Sequence, residues 1–222
     1  MAKKNNTVMK NSRATRAQQA RAKEEREKIY SEKVGKLRIF SLLALVMALV
    51  VMLLFFLNWT YIYNTEYGVE DPIITGFNCL AAGVSGNYTG TNKAIGNMAH
   101  PYYSQAQSYA LTLSHLTVAA FFILLASIAA FALAAVRNKG YFTKAGFLLS
   151  LAVTVLLFIS YSVALSMKHG EILSTYCQGN PKCSIRSEII LPALLSLFSL
   201  ALPVTEIIRR ALLKKQYKTE SK

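Results

Sequence analysis

The chain predicts an all-α membrane protein, a bundle of four transmembrane helices with a small folded extracytoplasmic loop region and a helical, basic N-terminal arm. Three observations point there. Hydrophobic residues make up 53% of the 222 residues and charged residues only 16%, against roughly 25% charge in an ordinary soluble domain. Four segments stay apolar over the roughly 20 residues a helix needs to cross a hydrocarbon core. Finally, the net charge of +14 is concentrated in the terminal arms rather than spread along the chain.

The first piece, residues 1–38, is a basic arm with twelve Lys and Arg against four Glu. From about Ser12 to Gly35 it reads as helix, because Ala, Arg, Gln, Lys and Glu dominate and no Pro interrupts. Glu24 stands four residues before Lys28 and Glu32 four before Lys36, the favourable order for helical ion pairs. Its apolar residues Ala14, Ala17, Ala20, Ile29, Tyr30 and Val34 are scattered around the helix, so no stripe forms that would lie in a bilayer.

A transmembrane domain follows over 39–208, with spans at about 39–57, 109–136, 145–167 and 189–208 and intervening loops at 58–108 and 168–188. The second span exceeds the thickness of the core and is expected to tilt or protrude. In the fourth, Pro192 falls in the first turn, where a missing amide costs little. Pro203 removes the bond to Ser199 and predicts a kink. A basic tail, 209–222, ends the chain. The first span is expected to remain as an uncleaved anchor, since Leu57-Asn58-Trp59-Thr60 follows it rather than small residues.

Orientation comes from the basic residues, which are retained on the cytoplasmic side. Twenty-one of the 25 lie in the arm, in the link 137–144 and in the tail, which predicts both termini cytoplasmic in a multi-pass protein of the cell membrane. Trp59, Tyr61 and Tyr63 are then expected in the outer aromatic belt. The loop 58–108 is too aromatic for a disordered linker, and residues 72–80 have the β-branched and aromatic content of a strand, so a short sheet or cap is expected there.

Small residues four apart mark close helix approaches in lipid. They are Ala44 and Ala48 in the first span, Ala126, Ala130 and Ala134 in the second, and Gly146, Ser150 and Thr154 in the third. These are expected to be seams of the bundle, or alternatively a face for forming an oligomer.

Candidates for chemistry are few. His115 and Glu206 are ionisable residues inside spans, which makes them functional candidates by default. They fall toward opposite membrane faces, and Glu206 precedes Arg209 and Arg210, so an interfacial ion pair is expected for it. Cys177 and Cys183 flank a Gly-Asn-Pro turn on the oxidising side and are the first choice for a disulfide, with a bond from Cys79 to either as the second. A lone Cys pair without His makes an incomplete zinc site. No phosphate loop, nucleophile elbow or His-Glu-x-x-His motif occurs, so no catalytic, cofactor-binding or metal-binding residue is assigned. Asn87-Tyr88-Thr89 matches a glycosylation acceptor but does not identify the cell type.

Four spans, a long first outer loop with Trp59 just after the first helix, and a short second loop resemble the topology of claudin-like membrane proteins. That family carries two cysteines after its tryptophan motif, where this loop has Cys79 alone. The likeness is one of topology, and no junction-forming role is taken from it.

The function expected is therefore that of a non-enzymatic accessory or scaffold subunit acting through its outer loop and basic arms on a protein partner. The alternative is a small transporter or channel subunit with His115, Ser160, Tyr161 and Ser162 along a path; a membrane enzyme ranks third. The arm is expected either to bind an anionic surface, the lipid leaflet or an RNA-rich partner such as a ribosome, or to serve topology alone.

Overall fold

The computed structural model describes residues 2–64, 69–85, 104–166 and 183–220. Four of its helices are long and apolar enough to cross a membrane: Ala20–Phe56, Leu111–Arg137, Gly140–Ser166 and Ile190–Thr219.

Helix α1 (Ala2–Lys36) runs almost continuously into α2 (Arg38–Leu53). Between them the helix tightens at Leu37, whose amide bonds back to Val34 O at 3.1 Å. A short 3-10 turn, Leu54–Phe56, ends the first span and delivers the chain to strand β1 (Asn58–Asn64). Strand β2 (Val69–Thr75) and helix α3 (Gly76–Ser85) follow. Helices α4 (Ser104–Arg137) and α5 (Gly140–Ser166) form a hairpin. Strand β3 (Cys183–Ser187) then precedes α6 (Ile190–Ser199) and α7 (Ala201–Glu220).

Around the bundle the neighbours run α2, α4, α5 and α6 with α7, which closes back on α2. The strands make an antiparallel sheet in the order β2-β1-β3. Its pairing explains a proline within a strand: Pro72 lies on the edge strand β2, opposite Tyr61, where a missing donor is tolerated. The strand expected over 72–80 stops at Thr75, and residues from Gly76 onward are helical. Gly76 is needed at that switch because a side-chain carbon there would run into Phe55 O and the Trp59 ring.

The chain between Ser199 and Ala201 departs from regular helix. Leu200 N reaches Leu197 O at 3.2 Å, and Val204 N returns to Leu200 O at 3.3 Å. Pro203 has no amide to offer Ser199 O, so the break falls where its missing donor puts it.

The outside of the bundle is apolar, unlike that of a water-soluble one, and small and hydroxyl residues share its interior with Val51, Phe55, Leu113, Phe131 and Leu157. Its interior holds Ser41, Ser127, Ser150, Thr154, Ser160 and Ser196 among small residues such as Ala44, Ala48 and Ala193. Its outside shows Leu53 at 60% exposure, Leu148 at 63% and Phe198 at 69%. Leu and Phe gain nothing from leaving lipid for a lipid-like interior. Close approach of helices in a bilayer relies on small residues and hydroxyls, which share these contacts with the buried apolar side chains. The hydroxyls are satisfied locally: Thr154 donates to Ser150 O and Ser160 to Leu156 O, both at 2.9 Å. Between α4 and α5, Ser127 and Ser150 share a hydrogen bond of 2.7 Å.

The seam residues need one correction. Ala44, Ala48, Ala130, Ala134, Gly146, Ser150 and Thr154 are buried, but Ala126 faces outward. The inward face of α4 is Ala120, Leu124, Ser127, Phe131 and Ala134, spaced three and four apart as one helix face requires.

Candidate functional site

Among the described residues, the most elaborate polar site lies where the arm, the α4–α5 turn and α7 meet, at the end of the bundle from which α1 and α7 extend. It begins with Asn138, which ends α4 in a left-handed conformation at φ 52, a role for which Asn is favoured after Gly. Its amide closes on Ala134 O at 2.9 Å. Arg210 of α7 then clasps this turn, donating to Asn138 Oδ1 at 2.6 Å and to Asn138 O at 3.2 Å.

The same guanidinium holds Glu206 one turn earlier, with Nε to Oε1 at 2.8 Å and Nη2 to Oε1 at 2.8 Å. Glu206 is wholly buried. Thr143 of α5 donates to its Oε1 at 2.9 Å, and Ser41 of α2 donates to its Oε2 at 2.5 Å. A buried carboxylate is tolerated only when paired and hydrogen-bonded, and here donors come from α2, α5 and α7. The carboxylate is thus engaged as a tie between helices rather than left open for a substrate. The local ion pair expected for Glu206 is formed with Arg210 and not with Arg209, and the carboxylate is buried. Arg209 instead places its guanidinium over the Phe40 ring, 5.2 Å from the centroid. Arg38 completes the junction by donating to Ala135 O at 2.7 Å, satisfying a carbonyl that the end of α4 leaves open.

Sequence spacing reveals the Glu206 and Arg210 pair, but not Ser41 and Thr143. Those lie 165 and 63 residues away from Glu206, and nothing local distinguishes their hydroxyls from the others in the spans. Asn138 carries the better signal, an Asn followed by Lys139 and Gly140 between two apolar segments.

At the opposite end, Trp59 is buried rather than set in an aromatic belt. It packs on Phe55 with centroids 5.0 Å apart and donates its indole N–H to Leu54 O at 3.1 Å. Its carbonyl accepts from Glu188 N at 3.0 Å and Ser187 Oγ at 3.1 Å, so it fastens the sheet to the first and fourth spans. Beneath it, Cys79 is a buried free thiol, which removes it from the second-choice disulfide. Burial pushes the thiol up to about 12, against a smaller opposing pull from the hydroxyls of Ser114 and Thr117. Ser114 Oγ otherwise has no hydrogen-bond partner, and a thiol is a weak one. Cys177 lies outside the described residues, as does the side chain of Cys183.

The four residues proposed for a path do not converge. His115 and Ser162 are exposed, Ser160 is buried and bonded to its own helix, and Tyr161 is half-buried. A cavity in the bundle, between Ala48, Val51, Leu124, Ser150, Val153, Ser196 and Ser199, measures about 10 Å³, about the space one water requires. Among the described residues no group of three or more His, Cys, Asp or Glu side chains is assembled. No family model, curated protein or solved structure matches the chain.

Proposed function

We propose that the chain is a non-enzymatic, multi-pass protein of the cell membrane that serves as an accessory or scaffold subunit. It meets its partners through the loop region at one end and the basic helices at the other. The observation that carries this reading is the packed seam of small and hydroxyl residues among the described residues, where the cavity beside Ser150 and Ser196 measures about 10 Å³, between two ends tied by side-chain bonds. The Trp59 junction braces one end and the Glu206 clasp the other. Twenty-one of 25 basic residues fall in the arm, the α4–α5 link and the tail, which supports placing both termini in the cytoplasm. On that orientation Cys177 and Cys183 face the oxidising side, and a disulfide between them would close the second outer loop.

The experiment is reconstitution beside purification. The protein isolated from its native membrane in mild detergent should retain a stoichiometric protein partner, and the pure chain in liposomes should carry no solute flux. A sustained flux from the pure chain, with no partner retained, would replace this reading with that of a transporter.

A further inference from the structure

Beside the clasp, a crevice of about 420 Å³ opens between the arm, the start of α5 and α7. Lys144, Lys214 and Arg210 line its walls with Tyr30 and Tyr141, and Val34 and Ile207 supply apolar surface. Its size falls within the usual range of small-ligand sites, about 300–1,000 Å³.

We propose that this crevice binds the phosphate headgroup of an anionic phospholipid. The charge balance favours an anion. Neither Lys144 nor Lys214 is paired with a carboxylate among the described residues, and Glu206, the carboxylate that meets the crevice through Arg210, is already committed to Arg210, Thr143 and Ser41. Both lysines are exposed and keep their three donors for a phosphate ester. The start of α5 at Gly140 also lines the crevice, and the positive end of the helix dipole adds to the field there.

Location selects a lipid over a soluble phosphate. One turn beyond Lys144 on the same helix face is Leu148, 63% exposed, and next to Ile207 is Ile208, 53% exposed. A headgroup held by the lysines would therefore have its acyl chains beside side chains that already face lipid. Basic pockets between helices at a membrane border are suited to such headgroups. The site is distinct from the diffuse attraction of the arm for an anionic surface, since only Tyr30 and Val34 of the arm line it. It rests on the membrane-spanning reading but not on the accessory role.

The test uses the full chain in a nonionic detergent, with native mass spectrometry to count retained lipid. Phosphatidylglycerol should remain bound as a single molecule and phosphatidylcholine of the same chain length should not. K144Q/K214Q should weaken retention about 25-fold, or about fivefold per lysine. The charge-matched pair K23Q/K215Q should change it less than twofold. Lys and Gln have similar helix propensities, so both variants should melt with the wild type. Equal retention of the two lipids, equal loss in both double variants, or displacement of phosphatidylglycerol by equimolar inorganic phosphate would each overturn the proposal.

Discussion

Glu206 shows what a single residue contributes to this architecture. Four donors from three helices converge on a carboxylate buried at 0% exposure, so deleting it strands a half-buried guanidinium and two hydroxyls. Glu206→Ala should destabilise the protein by about 3–5 kcal/mol, whereas Thr143→Val should cost about 1 kcal/mol, the worth of one hydrogen bond. Denaturant unfolding in micelles measures both, and equal small losses would show that the clasp is incidental. Cys79 carries a pH signature. Its folded thiol is raised from 9.0 to about 12, so the folded state holds its proton while the unfolded state releases it. The stability this contributes is complete below about pH 9 and is lost as pH rises toward 12. Wild type should therefore lose more stability than Cys79→Ala across that alkaline window, and parallel curves would contradict the assignment. The spacing of Glu206 and Arg210 was legible in the sequence. The burial of Glu206 was not, because it depends on hydroxyls from two distant helices. Trp59 was misread for a similar reason: its position beside a span fits a lipid belt, and only the fold brings Phe55 and Gly76 against its ring.

At the scale of elements, length and composition were enough to place the four helices, because a bilayer demands a long apolar run and little else in the chain supplies one. Their phase was harder to read. The alanines of α4 repeat at Ala126, Ala130 and Ala134, yet the inward face follows Ser127 and Phe131. In lipid the outward face is apolar too, so hydrophobicity alone cannot mark the seam. Helix ends also moved: α7 continues through the basic tail to Glu220, and the arm packs along it, with Tyr30 and Tyr217 centroids 5.0 Å apart. The α4–α5 contact depends on Gly146, where an added methyl carbon would come within 2.6 Å of the Phe131 ring. Gly146→Ala should therefore destabilise the bundle by about 1–3 kcal/mol, read as a lowered melting temperature in detergent. Unchanged melting would mean that the two helices part freely at this point.

For the molecule as a whole, the decisive feature is the contrast, among the described residues, between a bundle seam packed from small and hydroxyl residues and two ends tied together by side-chain bonds. Most seam serines and threonines bond to each other, to Glu206 or to backbone carbonyls, large apolar side chains face outward, and a cavity within the bundle holds about 10 Å³. The polar residues at 160–162, suggestive of a path when read along the chain, turn to different sides of α5 because consecutive helical positions diverge by about 100°. Function is then expected at the ends. Cross-linking mass spectrometry in intact native membranes tests this most directly. The account predicts that links to a stoichiometric partner cluster on the loop region and on the basic helices α1 and α7, with none from the seam of α4 and α5. Links distributed along that seam, or a chain that remains unpartnered and conducts a solute through positions 127 and 150, would contradict it.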